Sequence, residues 1–344
     1  MIQEQIDNLV SHGDFPEPTG QRQLITTHIS WVIVCDHFVY KIKKAIRYSF
    51  LDFSTLKLRK FFCEREIELN NRLAKGIYLE VLPIYINNGQ IQIGGKEGSI
   101  LEYALKMRKM DPEKQMDLLI LHNKVQFKDI ENLAECIADF HKKTTIIHEK
   151  DVLEIKEKFN DLGYVKKFLL KELGHESCVI IDKAIAFSDT FLSQNEAVLK
   201  DRLKLGYYRD GHGDLHTRNI FLLPAPQPFD CIEFNDDYRQ IDVLNEVAFL
   251  CMDLDALDKK EFSERFIDQY NKLFPVMQTP EERRLFVYYK MYRANVRAKV
   301  NSLRANSTLN ATDKRNALVE VQKYLAMIEH YLKVLEKQGY LKNT

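Results

Sequence analysis

Apolar positions in the first hundred residues fall in short blocks of strand length. Segments 23–30, 31–35 and 38–43 are apolar or β-branched, and Asp36-His37 offers a tight turn between the last two. Segments 81–86 and 90–93 flank Asn88-Gly89, whose tolerance of positive φ predicts a hairpin. Segment 99–105 is one more strand. A single helix interrupts this series: Ser54 can cap it, and Leu58, Phe62, Leu69 and Leu73 recur at helical spacing.

The period then changes. Asp129 can cap a helix carrying Ile130, Leu133, Ile137 and Phe140. Thr279-Pro280-Glu281-Glu282 is a capping box with proline at the first helical position, so a long helix starts there. Leu318, Val321, Leu325, Ile328, Leu332 and Leu335 form a heptad stripe too short for a coiled coil, which predicts packing onto the same domain. The shift from strands to helices divides the chain into a β-rich part, residues 1–105, and a mainly helical part, residues 106–344. Hence the expected class is α+β.

Composition narrows this picture. At about 150 residues per domain, 344 residues suggest two domains. Fifty basic residues balance fifty acidic ones, so no overall field draws the chain to nucleic acid or to an anionic membrane. No run of 18 apolar residues is present, and the first residues lack the basic and apolar regions of a secretory signal. The six cysteines stand singly, without a Cys-x-x-Cys pair. Reduced thiols in a cytoplasmic protein are the expectation. The oligomeric state stays open.

The chemistry concentrates in His212-Gly213-Asp214-Leu215-His216-Thr217-Arg218-Asn219, which runs into the apolar segment 220–223. Residues 224–228 form a turn, and Phe229-Asp230-Cys231-Ile232-Glu233-Phe234 follows as a second strand. A loop before one strand and a carboxylate at the end of its partner can converge. His212 and His216 also imitate a zinc pair, but Gly213 is a poor helix former and the pair needs a helix.

His-Gly-Asp-x-x-x-x-Asn, a hairpin and then apolar-Ile-acid-aromatic resembles the catalytic segment of the aminoglycoside phosphotransferase family, which has the protein-kinase-like fold. The resemblance covers nearly the whole chain. It implies a two-lobed fold: a small β-rich lobe with one helix, and a larger helical lobe. It further implies a phosphotransferase that uses ATP and Mg2+. Asp214 would be the catalytic base, Asn219 a magnesium ligand and His212 a brace for the loop. Glu233 falls where the family carries a metal-binding aspartate. The extra methylene displaces the carboxylate, and Asp230 and Asp236 are the alternatives.

A kinase-like small lobe pairs a strand lysine with a helix glutamate. Lys41 matches the family phrase best, with Lys43 on the same strand face as the alternative. Glu66 lies on the apolar stripe of the helix, where a charge is costly unless paired. Residues 26–30 stand where the phosphate-covering loop belongs, while the glycines of 94–98 read as a hairpin turn. Backbone groups at Glu102 and Ala104 would form the hinge that reads adenine. Asp242 and Glu246 would brace the catalytic loop.

Members of the family phosphorylate hydroxyls of antibiotics, sugars, amino alcohols or proteins, so the acceptor is expected to be a small molecule. Arg293, Arg297 and Arg304 share one helix face, and if that face lines the pocket the acceptor is anionic; a solvated face is the simpler account. A nucleotide-binding pseudokinase acting through a protein partner is the alternative function, motivated by Glu233 and the missing glycines.

Overall fold

The structure is a computed structural model, and it describes residues 1–95 and 97–340. Lys96, part of the glycine-rich turn considered above, lies outside them. In chain order the elements are α1 (Gln3–His12), β1 (Gln23–Thr26), β2 (Ser30–Val34), β3 (Phe38–Lys43), β4 (Arg47–Tyr48), β5 (Leu51–Asp52), α2 (Leu56–Asn70), β6 (Tyr78–Asn87), β7 (Gln90–Ile93), β8 (Ser99–Arg108) and α3 (Met116–Leu121). Helices then dominate: α4 (Phe127–Lys143), α5 (Glu154–Asn160), α6 (Lys166–Leu173), α7 (His175–Gln194) and α8 (Glu196–Lys204). Next come β9 (Tyr208–Asp210), β10 (Ile220–Phe221), β11 (Gln227–Pro228) and β12 (Gln240–Asp242), followed by α9 (Val243–Ala256), α10 (Lys260–Leu273), α11 (Pro280–Ser307) and α12 (Ala311–Tyr340). Among the described residues no helix is long and apolar enough to cross a membrane.

Two compact units emerge, and their boundary differs from the one the composition suggested. The first comprises 1–123 and 218–238; the second comprises 124–217 and 239–344. The break falls after α3 rather than at 105/106, because β8 runs on to Arg108 and α3 belongs with the strands. The β10–β11 hairpin also returns to the first unit. Its Phe221 bridges to Gln115, and Leu222 N–H donates to the Lys114 carbonyl. A single cut in the sequence cannot express such a return.

The first unit is built on a six-stranded sheet of order β1-β2-β3-β8-β6-β7, antiparallel throughout. Its core gathers Trp31, Ile33, Tyr40, Ile42, Ile84, Ile91 and Ile93 with Ile6 and Leu9 of α1. β6 lies between β7 and β8 in the sheet, so Gly94, Gly95 and Gly98 do not close the expected hairpin. Gly98 has φ +106°, and a Cβ there would meet the Ile86 carbonyl oxygen at 2.4 Å, so that position requires glycine.

Thr55, not Ser54, caps α2: its hydroxyl accepts from Leu58 N–H at 3.2 Å, while Ser54 bonds Asp52. The buried face of α2 is Arg59, Cys63, Glu66, Leu69 and Asn70, one position round from Leu58 and Phe62. Arg59 takes that place because it pairs with the buried Glu102 at 2.8 Å.

In the second unit α4 begins at Phe127, and Asp129 accepts from the Gln126 N–H at 2.9 Å. Thr279 and Glu282 close the expected capping box at the start of α11. The leucine stripe of α12 packs on α11 with contributions from α7 and α9. All six cysteines are free.

Candidate functional site

Within the first unit, β3 points Lys41 and Lys43 to the same face, because side chains alternate along a strand. Glu66 reaches that face from α2 and divides its carboxylate between them. Oε1 accepts from Lys41 at 2.7 Å and Oε2 accepts from Lys43 at 2.6 Å. Each lysine has a second partner from the segment after β11: Lys41 donates to Asp230 Oδ1 at 2.9 Å, and Lys43 donates to Glu233. Two parallel Lys–carboxylate arms therefore share one glutamate.

The arms differ in access to water. Lys43 and Glu233 are 1% and 4% exposed, whereas Lys41 and Asp230 are 16% and 46% exposed. Lys43 also lies 4.8 Å from the centre of the buried Phe53 ring. Burial alone would discharge these lysines, but the surrounding carboxylates hold both ammonium groups above their ordinary range. For Glu66, burial is outweighed by the two lysines, which pull it down to about 2. Glu233 moves the other way: burial and the Glu66 charge raise it against the pull of Lys43. Three carboxylates face two ammoniums across the two arms. That donor set suits a divalent cation with hard oxygen preference, although among the described residues no group of three His, Cys, Asp or Glu has the geometry of a complete metal site.

The backbone at Asp230 is fixed from two sides. Its N–H donates to Tyr78 Oη at 3.0 Å, and the next N–H, of Cys231, donates to Asn70 Oδ1 at 2.9 Å. Asn70 in turn donates to the Glu66 carbonyl. Asp230 is left-handed, with φ +61°. Across the hairpin, the Asn219 carbonyl accepts from Phe229 N–H at 2.9 Å, so Asn219 stands opposite the residue before Asp230.

Glu102 and Ala104 both lie within β8. Ala104 is flanked by Ile42 of β3 and Leu82 of β6, and the Glu102 carboxylate is spent on Arg59. The strand ends at Arg108, so the first backbone after it begins at Lys109, whose own N–H goes to the His37 carbonyl.

The second unit holds Asp214. β9 and β12 pair with Asp210 opposite Gln240, and the loop after β9 is clamped from below by Glu246 of α9. Glu246 accepts from the N–H groups of His212 and Gly213 and bonds His141 Nε2 at 2.9 Å. His141 Nδ1 meets Tyr270 Oη at 2.7 Å. Burial raises Glu246, but His141 and these donors together bring it down to about 2. A Cβ at Gly211 would sit 2.2 Å from the Glu246 carboxylate, so only glycine allows this approach.

Arg293 of α11 donates to the Gly213 carbonyl at 3.2 Å and to Asn245 Oδ1 at 2.8 Å. Thr217 is fixed to Asp253 at 2.6 Å. Asp242 instead caps α9 and receives a two-pronged contact from the buried Arg202. The basic face of α11 is therefore not a uniform anion surface. Arg293 is buried as a loop brace, Arg297 stacks 5.5 Å from the Tyr324 ring centre and Arg304 is exposed.

Asp214 emerges from this brace with its side chain 36% exposed. Its N–H donates to His212 Nδ1, and Oδ2 lies 3.4 Å from His216 Nε2. Burial would raise this carboxyl, but His216, with Arg297 and His212, holds it far below the usual range. His141 and His216 carried weak signals in the sequence. His141 continues the apolar stripe of α4, a place that demands a partner, and His216 stands two residues after the acid.

No protein-family model matches the chain. Uncharacterized proteins of Mycobacterium tuberculosis (Rv2004c) and Mycobacterium bovis (Mb2027c) are each 29% identical over 288 residues, covering 81% of this chain and 54% of theirs. The chain thus spans about half the length of the curated relatives it matches. Among solved structures, a choline/ethanolamine kinase family protein from Mesorhizobium loti superposes with a TM-score of 0.52 at 11% identity, covering 97% of this chain and 99% of that one. A Plasmodium vivax ethanolamine kinase gives 0.51 at 9% identity, over 92% and 84%. The chain has the protein-kinase-like fold. At such identities the likeness is one of fold, and it agrees with the α+β reading of the sequence.

Proposed function

We propose that the protein is a phosphotransferase that moves the γ-phosphoryl group of Mg-ATP to the hydroxyl of a small-molecule acceptor. The observation that carries this reading is the Lys41–Glu66 pair at 2.7 Å, with Lys41 also reaching an accessible carboxylate. A lysine ammonium held this way is a fixed positive charge for phosphate oxygens, and orientation supplies most of the catalysis in phosphoryl transfer.

Asp214 is then the base. It stands five residues before Asn219, the spacing of the kinase catalytic loop. Its carboxylate accepts the acceptor's hydroxyl proton as the oxygen bonds to the γ-phosphorus and the bond to the β-bridging oxygen breaks, releasing ADP. Its low pKa keeps it ionised and ready throughout the neutral range. Lys41 neutralises the triphosphate, and Glu66 keeps Lys41 in place. Asn219 and a carboxylate of the 230–233 segment are oxygen donors suited to magnesium, which when bound draws charge from the phosphate oxygens.

One observation favours a second reading, a nucleotide-binding pseudokinase acting through a protein partner: Glu233, at the family's metal position, is buried on Lys43. Incubation with ATP, magnesium and a panel of small hydroxyl compounds decides between them. Acceptor-dependent ADP formation that disappears in Asp214→Ala supports the phosphotransferase. Nucleotide binding with no turnover on any acceptor, unchanged by that substitution, supports the pseudokinase.

A further inference from the structure

A magnesium ligand needs oxygen lone pairs that water and phosphate can reach, and the two carboxylates of the 230–233 segment differ on this point. Glu233 is 4% exposed, and Lys43, itself 1% exposed, occupies it. Placing a cation on Glu233 would strip the buried Lys43 of one of its two counter-charges, which is expensive in a dry site. Asp230 is 46% exposed and gives only Oδ1 to Lys41, leaving its carboxylate open on the solvent side.

The local chain is arranged around Asp230 rather than Glu233. The Asp230 backbone is left-handed, with φ +61°, a conformation that aspartate tolerates. Tyr78 and Asn70 impose it here through the N–H groups of residues 230 and 231. The hairpin sets Asn219 opposite Phe229, one residue from Asp230 and four from Glu233. The carboxylate of the cluster that water reaches is thus Asp230.

We infer that Asp230, together with Asn219, holds the nucleotide's magnesium ion, and that Glu233 is a positioning residue that anchors Lys43 and through it Glu66. This assignment rests on the Mg-ATP reading above. It moves the metal-binding role three residues upstream of the position given by the family resemblance. Asp230 works on the outer arm with Lys41, and the inner arm of Lys43 and Glu233 is the buried support.

The test uses the full chain with Mn2+ as the probe, its binding followed by electron paramagnetic resonance in the presence of a non-hydrolysable ATP analogue. Asp230→Asn keeps a side chain that tolerates the left-handed region, and it should weaken Mn2+ binding by at least about tenfold. Asp230→Glu, which restores a carboxylate, should recover part of the affinity and shows that folding is intact. Glu233→Gln should leave Mn2+ affinity nearly unchanged while lowering the melting temperature. Loss of Mn2+ binding in Glu233→Gln with retention in Asp230→Asn overturns the assignment but leaves Mg-ATP binding standing. A wild-type protein that binds neither the analogue nor Mn2+ overturns the Mg-ATP reading itself, and the assignment with it.

Discussion

Glu66 Oε2 accepts a 2.6 Å hydrogen bond from Lys43 where neither side chain reaches water. Removing one member of such a pair strands the other charge in a low-dielectric site, typically at a cost of about 3–5 kcal/mol. Glu66→Gln is therefore expected to lower stability to urea by that order. It should also weaken nucleotide binding, because Lys41 loses its fixed position. Lys41→Met, at the exposed arm, should cost less stability and as much nucleotide affinity. Equal destabilisation by Lys41→Met and Lys43→Met would contradict the division into outer and inner arms.

Stability should fall in acid through the carboxylate that accepts from the His212 and Gly213 N–H groups. Glu246 is held at about 2 in the folded chain against an ordinary value of 4.5. A depressed folded value means the unfolded chain takes up the proton first. The contribution is present in full above about pH 4.5 and is lost as pH falls toward 2. Urea titrations between pH 7 and pH 3 should show a shallower acid slope in Glu246→Gln than in the wild type, from a lower starting stability. Parallel curves would show that Glu246 is not held ionised by its donors.

Arg293 joins α11 to the residue before Asp214 through its contact with the Gly213 carbonyl. Arg293→Met leaves that carbonyl and Asn245 Oδ1 without their donor, a loss of about 1–3 kcal/mol. The expected kinetic signature is a fall in kcat with little change in the dissociation constant for nucleotide. A loss confined to nucleotide affinity would place Arg293 elsewhere in the mechanism.

His216 Nε2 is 3.4 Å from Asp214 Oδ2, and the ring is buried against Phe249 at 5.4 Å between centres. His216→Phe keeps the ring and removes the donor. The Asp214 carboxyl should then rise toward its ordinary value, and the acid limb of the activity profile should move upward in pH. A profile unchanged in position, with only its height reduced, would mean that His216 serves packing alone.

Much of this was legible in the sequence, for reasons that local physics explains. Strands β2 and β3, the hairpin at Asn88-Gly89 and the Thr279–Glu282 box depend on neighbouring residues only, and they fall where alternation and capping put them. The importance of Glu66 could be read because a charge on an apolar stripe needs a partner. Other features depend on contacts distant in the chain. The α2 stripe turns by one position because Arg59 is neutralised by Glu102, 43 residues away. Asp230 was hard to rank against Glu233 because strand phase says nothing about which carboxylate a lysine will bury. The return of the β10–β11 hairpin to the first unit is a tertiary fact, with no local signature.

The central claim is most directly tested by ADP formation from Mg-ATP in Asp214→Asn, measured beside nucleotide binding in the same preparation. The account predicts that the variant binds nucleotide as the wild type does and turns over about 10²–10⁴ times more slowly. Turnover at the wild-type rate by a variant that binds nucleotide normally would contradict it.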